Sequence, residues 1–341
     1  MAGPLLVYGA YGYTGELVAR RAVERGLSPV LAGRDSEQLV RVARALGCEW
    51  RAFPVSDPEA LRRGVRGAGA VVHCAGPFIH TARQMAEACI DERVHYLDVT
   101  GEIPVFESLL ALSPAARNAG VMLLPGAGFD VVPSDCLAAH LARRLPGART
   151  ITLVIGGMDR VSRGTARTIL EGASAARRGL GAIETRSFDL GFGPVAAVSV
   201  PWADVFTAPR STGVPDVRTY LAGGKAFRLL LRAAPHLAPV LASRRVREVV
   251  AGLLAGGEAG PSPQRRATGR SVLYGEAVDA SGRRVAARQR HPDAYTLTAL
   301  AAVEIAERVL RGESPPGWQT PALAYGPDLV LALPDVSRED L

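Results

Sequence analysis

The chain has 341 residues, 48% hydrophobic and 21% charged, with a formal net charge of +7, a composition that suits a globular protein of about two domains. The basic excess is arginine spread along the chain, Lys225 being the only lysine, and no zinc finger, RNP pattern or aromatic-interleaved basic run accompanies it, so no nucleic-acid partner is expected. Cys48, Cys74, Cys89 and Cys136 form no CxxC pair, which gives no zinc site and no disulfide framework, and the lack of a leader or of an apolar run of about 18 residues predicts a cytoplasmic protein without an integral membrane segment.

The run Leu5-Leu6-Val7-Tyr8 enters Gly9-Ala10-Tyr11-Gly12-Tyr13-Thr14-Gly15, and an amphipathic segment through Val23 follows. Strand, glycine turn and helix in that order are the context a dinucleotide fingerprint requires. Gly9 permits the tight turn, Gly12 leaves room for a pyrophosphate, and Gly15 lets the helix pack on the sheet. The helix N-terminus then offers unpaired N–H groups and partial positive charge to the phosphates.

A second strand, Ser28 to Gly33, ends at Arg34-Asp35. NAD enzymes of this fold place a carboxylate at that tip for the ribose 2′-hydroxyl, whereas an arginine there accommodates the 2′-phosphate of NADP. Arg34 therefore favours NADP, the other reading being that Asp35 takes the ribose or opens the next helix.

A helix is predicted over 36–46, a strand over 51–55, and another helix with Asp57 as N-cap and Pro58 as its first residue. Ala70 to Cys74 reads as the fourth strand, followed by Ala75-Gly76-Pro77-Phe78 and a helix through about Ile90. Val94 to Leu97 is the fifth, ending at Asp98-Val99-Thr100-Gly101-Glu102. One helix over 103–119 and the strand 121–124 lead to Gly126-Ala127-Gly128-Phe129-Asp130. Six strands with intervening helices predict a doubly wound parallel sheet of the Rossmann type. Beyond Arg149 the texture changes. Strands are expected over 150–156 and 195–205, a helical subdomain broken by Pro235 and Pro239 over 218–254, and a linker over 256–267. A hairpin is expected over 270–278 and 283–290, and a helix over 294–311.

In such a sheet the ligand lies beyond the carboxyl ends of the strands, so the loops after strands four, five and six converge on the nicotinamide side. Hydride transfer needs a group that gives or takes a proton. Asp98, Glu102 and Asp130 are the catalytic candidates by placement, with His80 about one helical turn after the fourth-strand loop. Each has a structural alternative. Asp98 can cap the turn before Gly101, Glu102 can sit at a helix start, Asp130 or Asp135 can cap the helix from Cys136, and His80 can be a partly exposed first-turn residue. Without Tyr-x-x-x-Lys the short-chain dehydrogenase mechanism is excluded, and HExxH, GxSxG and P-loop motifs are absent too.

GAYGYTG, LAGRD, VVHCAGPF, YLDVTGE, GFDVVPSD and RGTARTILEG, in that order, resemble the saccharopine dehydrogenase-like oxidoreductases, most nearly the branch with bacterial trans-acting enoyl reductases. The remaining chain matches loosely, through PDAYTLTALAA and the TPA at 320–322. The resemblance implies an NADP-binding Rossmann domain over 1–130, a mixed-sheet α+β domain for substrate and dimerisation over 131–290, and a C-terminal segment over 291–341 that returns to the first. With the glycine turn it implies cofactor contacts from Gly9, Tyr11, Gly12, Tyr13, Thr14, Gly15, Arg34, Asp57, Ala75, Gly76 and Pro77. Substrate contacts would come from Phe78, His80 and Thr165, although the family often has Tyr-Gly where this chain has His80-Thr81. Without another lysine beside Lys225 to serve as an amine-side base, saccharopine itself is not the expected substrate. The expected activity is NADPH-dependent reduction of an activated C=C (enoyl) or C=N bond of a hydrophobic or carrier-bound small molecule, by a homodimer without a metal. The alternative is a nucleotide-sensing or partner-binding Rossmann protein without turnover.

Overall fold

The apolar run at the start forms β1 (Leu5–Tyr8), buried at every position, and the glycine turn passes the chain to α1 (Tyr13–Glu24). The computed structural model describes residues 3–157, 184–224 and 260–341. β2 (Val30–Gly33) is again wholly buried. Asp35 then starts α2 (Ser36–Leu46) by accepting the Gln38 N–H, and Gly47 at φ 66° ends it. β3 (Trp50–Ala52) precedes α3 (Pro58–Val65), which has Asp57 as N-cap and Pro58 at the first helical position. β4 (Ala70–His73) is buried throughout, and a short 3-10 turn, Phe78–His80, leads into α4 (Ala82–Asp91).

After β5 (His95–Asp98) the single helix expected over 103–119 is instead two, α5 (Ile103–Leu110) and α6 (Ser113–Ala119). The reason is Pro114 in the first turn of α6, since a proline ring collides with the carbonyl four residues back and cannot donate to it. β6 (Met122–Leu124) and α7 (Val132–Arg144) follow.

Then come β7 (Ala148–Gly156), β8 (Thr185–Asp189) and β9 (Pro194–Ser199). The strand expected over 195–205 thus stops at Ser199. Pro201 cannot supply a ladder N–H, and α8 (Asp204–Thr212) begins soon after. β10 (Asp216–Ala222) corrects the helical reading from Arg218: Val217, Thr219, Tyr220 and Leu221 are buried, and β-branched and aromatic residues suit a strand. The rest of that stretch lies outside the described residues. α9 (Pro263–Thr268) occupies part of the expected linker. β11 (Arg270–Asp279) and β12 (Arg284–Pro292) form the hairpin foreseen, with Asp279 Oδ1 accepting from Ser281 N and Arg283 N across the turn. α10 (Ala294–Leu310), β13 (Gly317–Trp318), α11 (Pro321–Tyr325) and β14 (Ser337–Asp340) complete the chain.

Two units result, Met1–His140 with Ala294–Val336, and Leu141–Asp293 with Ser337–Leu341. The first holds a seven-stranded sheet in the order β13-β6-β5-β4-β1-β2-β3. Every neighbouring pair in it is parallel. Six of its strands match the expected series, and β13 adds an edge strand from late in the chain. Strands covered by helices on both faces read as continuous apolar runs rather than alternating ones, as β1, β2 and β4 do. The strand order reverses between β1 and β4, and that reversal is where an open α/β sheet leaves a crevice. In the same unit α10 packs along α1.

The second unit holds a mixed seven-stranded sheet, β14-β12-β11-β7-β10-β9-β8. β10 runs parallel to β7, while β11 pairs antiparallel with both β7 and β12. A core of Val154, Phe188, Leu190, Tyr220, Val272 and Tyr274 lies on this sheet. Among the described residues no helix is long and apolar enough to cross a membrane.

Candidate functional site

The glycine turn is fixed by its own backbone. Gly9 N and Ala10 N both donate to Ala32 O, at 2.7 and 3.2 Å, which ties the turn to the end of β2. Gly9 has φ +82°, and a Cβ there would lie 2.9 Å from Ala75 Cβ and 3.0 Å from Ala75 N. The turn therefore sits directly against the loop after β4. A Cβ on Gly15 would lie 2.1 Å from Gly9 O, so α1 also approaches the turn as only glycine allows. Gly12 is different: its added Cβ would meet only Gly9 O, at 3.2 Å, and otherwise points into open space. Gly12 is the N-cap of α1 and no side chain caps that helix, whose first-turn N–H groups have no partner within the helix itself. Within this turn Tyr13 packs edge-on to Tyr295 of α10 at 4.9 Å, and Thr14 is half-buried.

At the tip of β2 the structure separates Arg34 from Asp35. Asp35 is committed to α2, accepting from Gln38 N at 3.1 Å and from Gln38 Nε2 at 3.0 Å. These bonds, the backbone one foremost, hold its carboxyl below the ordinary carboxylate range. Asp57 likewise caps α3, accepting from Glu59 N and Ala60 N at 3.0 Å each. Arg34 is exposed and has no ion pair among the described residues. The group left to meet a ligand at this tip is a guanidinium.

The ends of β1, β4 and β5 stand in register, Tyr8 beside His73 and His73 beside Asp98. Asp98 is fully buried. Its Oδ1 accepts from Thr100 N and Gly126 N, both at 2.9 Å, and its Oδ2 accepts from Tyr96 Oη at 2.7 Å. Burial pushes its pKa up to about 6 against the opposing pull of those bonds. Glu102 accepts from Phe78 N at 3.2 Å and from Ile79 N at 2.9 Å, bracing the loop after β4 from the loop after β5. Asp130 is half-buried, and its Oδ2 lies against Gly101, where a Cβ would come within 2.8 Å. Burial raises its pKa to about 6 as well. Asp135 lies in the first turn of α7 and accepts from Ala322 N at 2.8 Å, anchoring α11.

Of the three loops expected to converge, the one after β5 thus touches both of the others, but the carboxylates are used differently. Asp98 binds N–H groups of its own loop and of the loop after β6, Glu102 those of the loop after β4, and Asp130 lies against Gly101 in the loop after β5. Ala75 and Pro77 accept from Thr81 Oγ1 at 3.1 and 3.3 Å through their carbonyls, and Gly76 between them is exposed. Phe78 is half-buried, edge-on to the His73 ring at 5.3 Å. His80 ends the 3-10 turn with its side chain exposed. Thr165 lies outside the described residues.

Three residues that the sequence did not single out belong to this region. His73 Nε2 lies 2.9 Å from Thr81 Oγ1, its Nδ1 is buried without a partner, and burial lowers its pKa to about 3, so the ring is neutral. Thr81 links that ring to the Ala75 and Pro77 carbonyls. Thr298 of α10 accepts from Phe129 N at 3.0 Å and donates to Ala294 O at 2.9 Å, holding the loop that carries Asp130. The only sequence signals were a histidine at the end of an apolar run and a threonine inside PDAYTLTALAA.

Residues 5–124 match the family described as the saccharopine dehydrogenase NADP binding domain. The chain is 31% identical over 154 residues to a trans-acting enoyl reductase of Mycobacterium leprae, a match covering 43% of this chain and 37% of that protein. It is 28% identical over 167 residues to a saccharopine dehydrogenase-like oxidoreductase of Homo sapiens, covering 43% and 39% respectively. The matches span only 33% to 39% of the length of such curated relatives. In fold the chain is similar to apo saccharopine dehydrogenase (L-Glu forming) from Saccharomyces cerevisiae, with a TM-score of 0.68 at 12% identity and full coverage of both chains.

Proposed function

Taking residues 5–124 as a saccharopine dehydrogenase-type NADP-binding domain, we propose that the protein is an NADPH-dependent reductase. Its substrate would be a small molecule with an activated C=C (enoyl) or C=N bond, hydrophobic or carrier-bound. The observation that carries this reading is the pairing of an open, uncapped glycine turn with a guanidinium at the β2 tip that has no ion pair among the described residues; a half-buried carboxyl in the loop after β6 also keeps its proton to about pH 6. The turn fits a pyrophosphate, because the N-terminus of a helix attracts an anion. Arg34 fits a 2′-phosphate, with which a guanidinium makes paired, charge-assisted hydrogen bonds.

NADPH, when bound, supplies the hydride. The chain's own residues then have two tasks. The loops 75–78, 98–102 and 126–130 present the reacting face, and their backbones are fixed by Asp98, Glu102, Thr81 and Thr298. Asp130 delivers a proton to the atom of the double bond that the hydride does not reach, its raised pKa keeping a share of the carboxyl protonated near neutral pH. Phe78 and His80 border the substrate, and the enzyme works in the cytoplasm as a homodimer through its second unit. The test is NADPH oxidation against enoyl thioesters, imines and ketones, with Asp130→Asn as the control. Oxidation that depends on substrate and falls in the variant supports the reading; no oxidation with any of them removes it.

A non-catalytic dinucleotide-binding protein is the second reading. It is favoured by the commitment of Asp98 and Glu102 to backbone N–H groups, since turn braces need no chemistry. Tight NADPH binding without turnover on any of those substrates would select it.

A further inference from the structure

NAD-binding domains of this fold carry their ribose carboxylate at the tip of the second strand; here Arg34 and Asp35 follow that strand, and its last residue is Gly33. That glycine is not adjacent to empty space. A Cβ built on it would lie 2.6 Å from Cε1 of Tyr11 and 3.3 Å from Cδ1, well inside the contact distance of two carbons. The turn that carries Tyr11 is tied to this strand, because Gly9 N and Ala10 N both donate to Ala32 O, the residue before Gly33. The edge of its half-buried ring therefore covers the tip of β2.

We propose that Tyr11 and Gly33 form a steric lock that sets cofactor choice: the tyrosine ring occupies the seat of the carboxylate that would recognise an unphosphorylated ribose. Arg34, one residue on, is left as the ribose-side group, and Asp35 is withdrawn into the cap of α2. Selection for the 2′-phosphate then has two parts, attraction by Arg34 and exclusion of an acid by Tyr11. A single acidic substitution at the tip cannot convert the site, because its side chain and the Tyr11 ring claim one volume. The inference rests on the NADP reading above.

The experiment is a cycle of Gly33→Asp, Tyr11→Ala and the double variant, each titrated with NADPH and NADH by fluorescence. Gly33→Asp alone should gain no NADH affinity. In the Tyr11→Ala background the same change should tighten NADH by about tenfold, the size of coupling expected between residues in contact. A gain in NADH affinity from Gly33→Asp that is equal in both backgrounds, or absent from both, overturns the lock. Gly33→Ala serves where the acid prevents folding: thermal unfolding should show a loss of stability with Tyr11 present that is relieved by Tyr11→Ala, and an equal loss in both backgrounds overturns the lock. Wild-type protein that binds neither nucleotide overturns the cofactor reading as well, whereas wild-type preference for NADPH with independent effects at 11 and 33 overturns the lock alone.

Discussion

Oδ1 of Asp98 accepts the N–H of Gly126 at 2.9 Å, joining the end of β5 to the loop after β6 across a fully buried contact. A residue placed among the proton-transfer candidates by its position in the sequence is, in the fold, the brace between two loops. Asp98→Ala removes the acceptor of Thr100 N, Gly126 N and Tyr96 Oη together and should destabilise by about 2 to 4 kcal/mol, the scale of orphaned buried donors. Urea unfolding measures it.

Asp98→Asn behaves differently. Because burial raises the carboxyl to about 6 in the fold, its contribution to stability is full below the unfolded value near pH 4 and is lost as the pH rises through about 6. An amide does not titrate, still accepts through its oxygen, and lets Tyr96 Oη accept instead of donate. Wild type should therefore lose stability relative to Asp98→Asn between about pH 4 and pH 6. Parallel unfolding curves across that range would contradict it.

Gly12→Val should abolish NADPH binding while circular dichroism stays native. The added side chain enters space that only Gly9 O borders at 3.2 Å, so the clash is with a pyrophosphate rather than with protein. A folded variant of unchanged affinity places the nucleotide elsewhere.

Arg34→Ala should cut the preference for NADPH over NADH by about 1.5 to 3 kcal/mol, the worth of a hydrogen bond to a charged group. Asp35→Asn should leave the preference intact, since its oxygens serve Gln38. Titration of both nucleotides against both variants distinguishes attraction at position 34 from any role of position 35.

Asp130→Asn should lower turnover by about 10² to 10⁴, the range for loss of a positioned acid. Its carboxyl titrates at about 6 in the fold, and the protonated form is the donor, so wild-type kcat should fall as the pH rises through that value. The variant's residual rate should lack this limb. A variant that keeps both the rate and the limb assigns the proton to solvent.

Elements governed by local rules were legible in the sequence. The strand–glycine–helix opening, the Asp35 and Asp57 helix starts and the 270–292 hairpin each depend on residues within a few positions of one another. What was hidden depends on distant partners. β13 is two residues long, too short to show any period, and exists because Met122 and Leu123 offer it a free edge. The strand ends at Ser199, just before Pro201, whose effect a strand reading of valines and alanines overrode. Whether Asp98, Glu102 or Asp130 faces a backbone N–H or a glycine is decided by loops about 25 residues apart in sequence meeting in space, as between Glu102 and Ile79. Periodicity carries no information about that. His73 escaped notice for a related reason: it completes an apolar strand, and only the fold shows Thr81 beside it.

The late position of β13 and α10 in the chain bears on biosynthesis. A nascent polypeptide that has just exposed Asp293 has made all of β1 to β6, yet the first sheet still lacks an edge and the Asp130 loop still lacks the Thr298 hydroxyl on which it hangs. The second sheet waits even longer, for β14 at 337–340. Both units are thus finished only by residues made after Asp293. A ribosome that stalls at Asp293 leaves two open sheets rather than one intact domain and one missing.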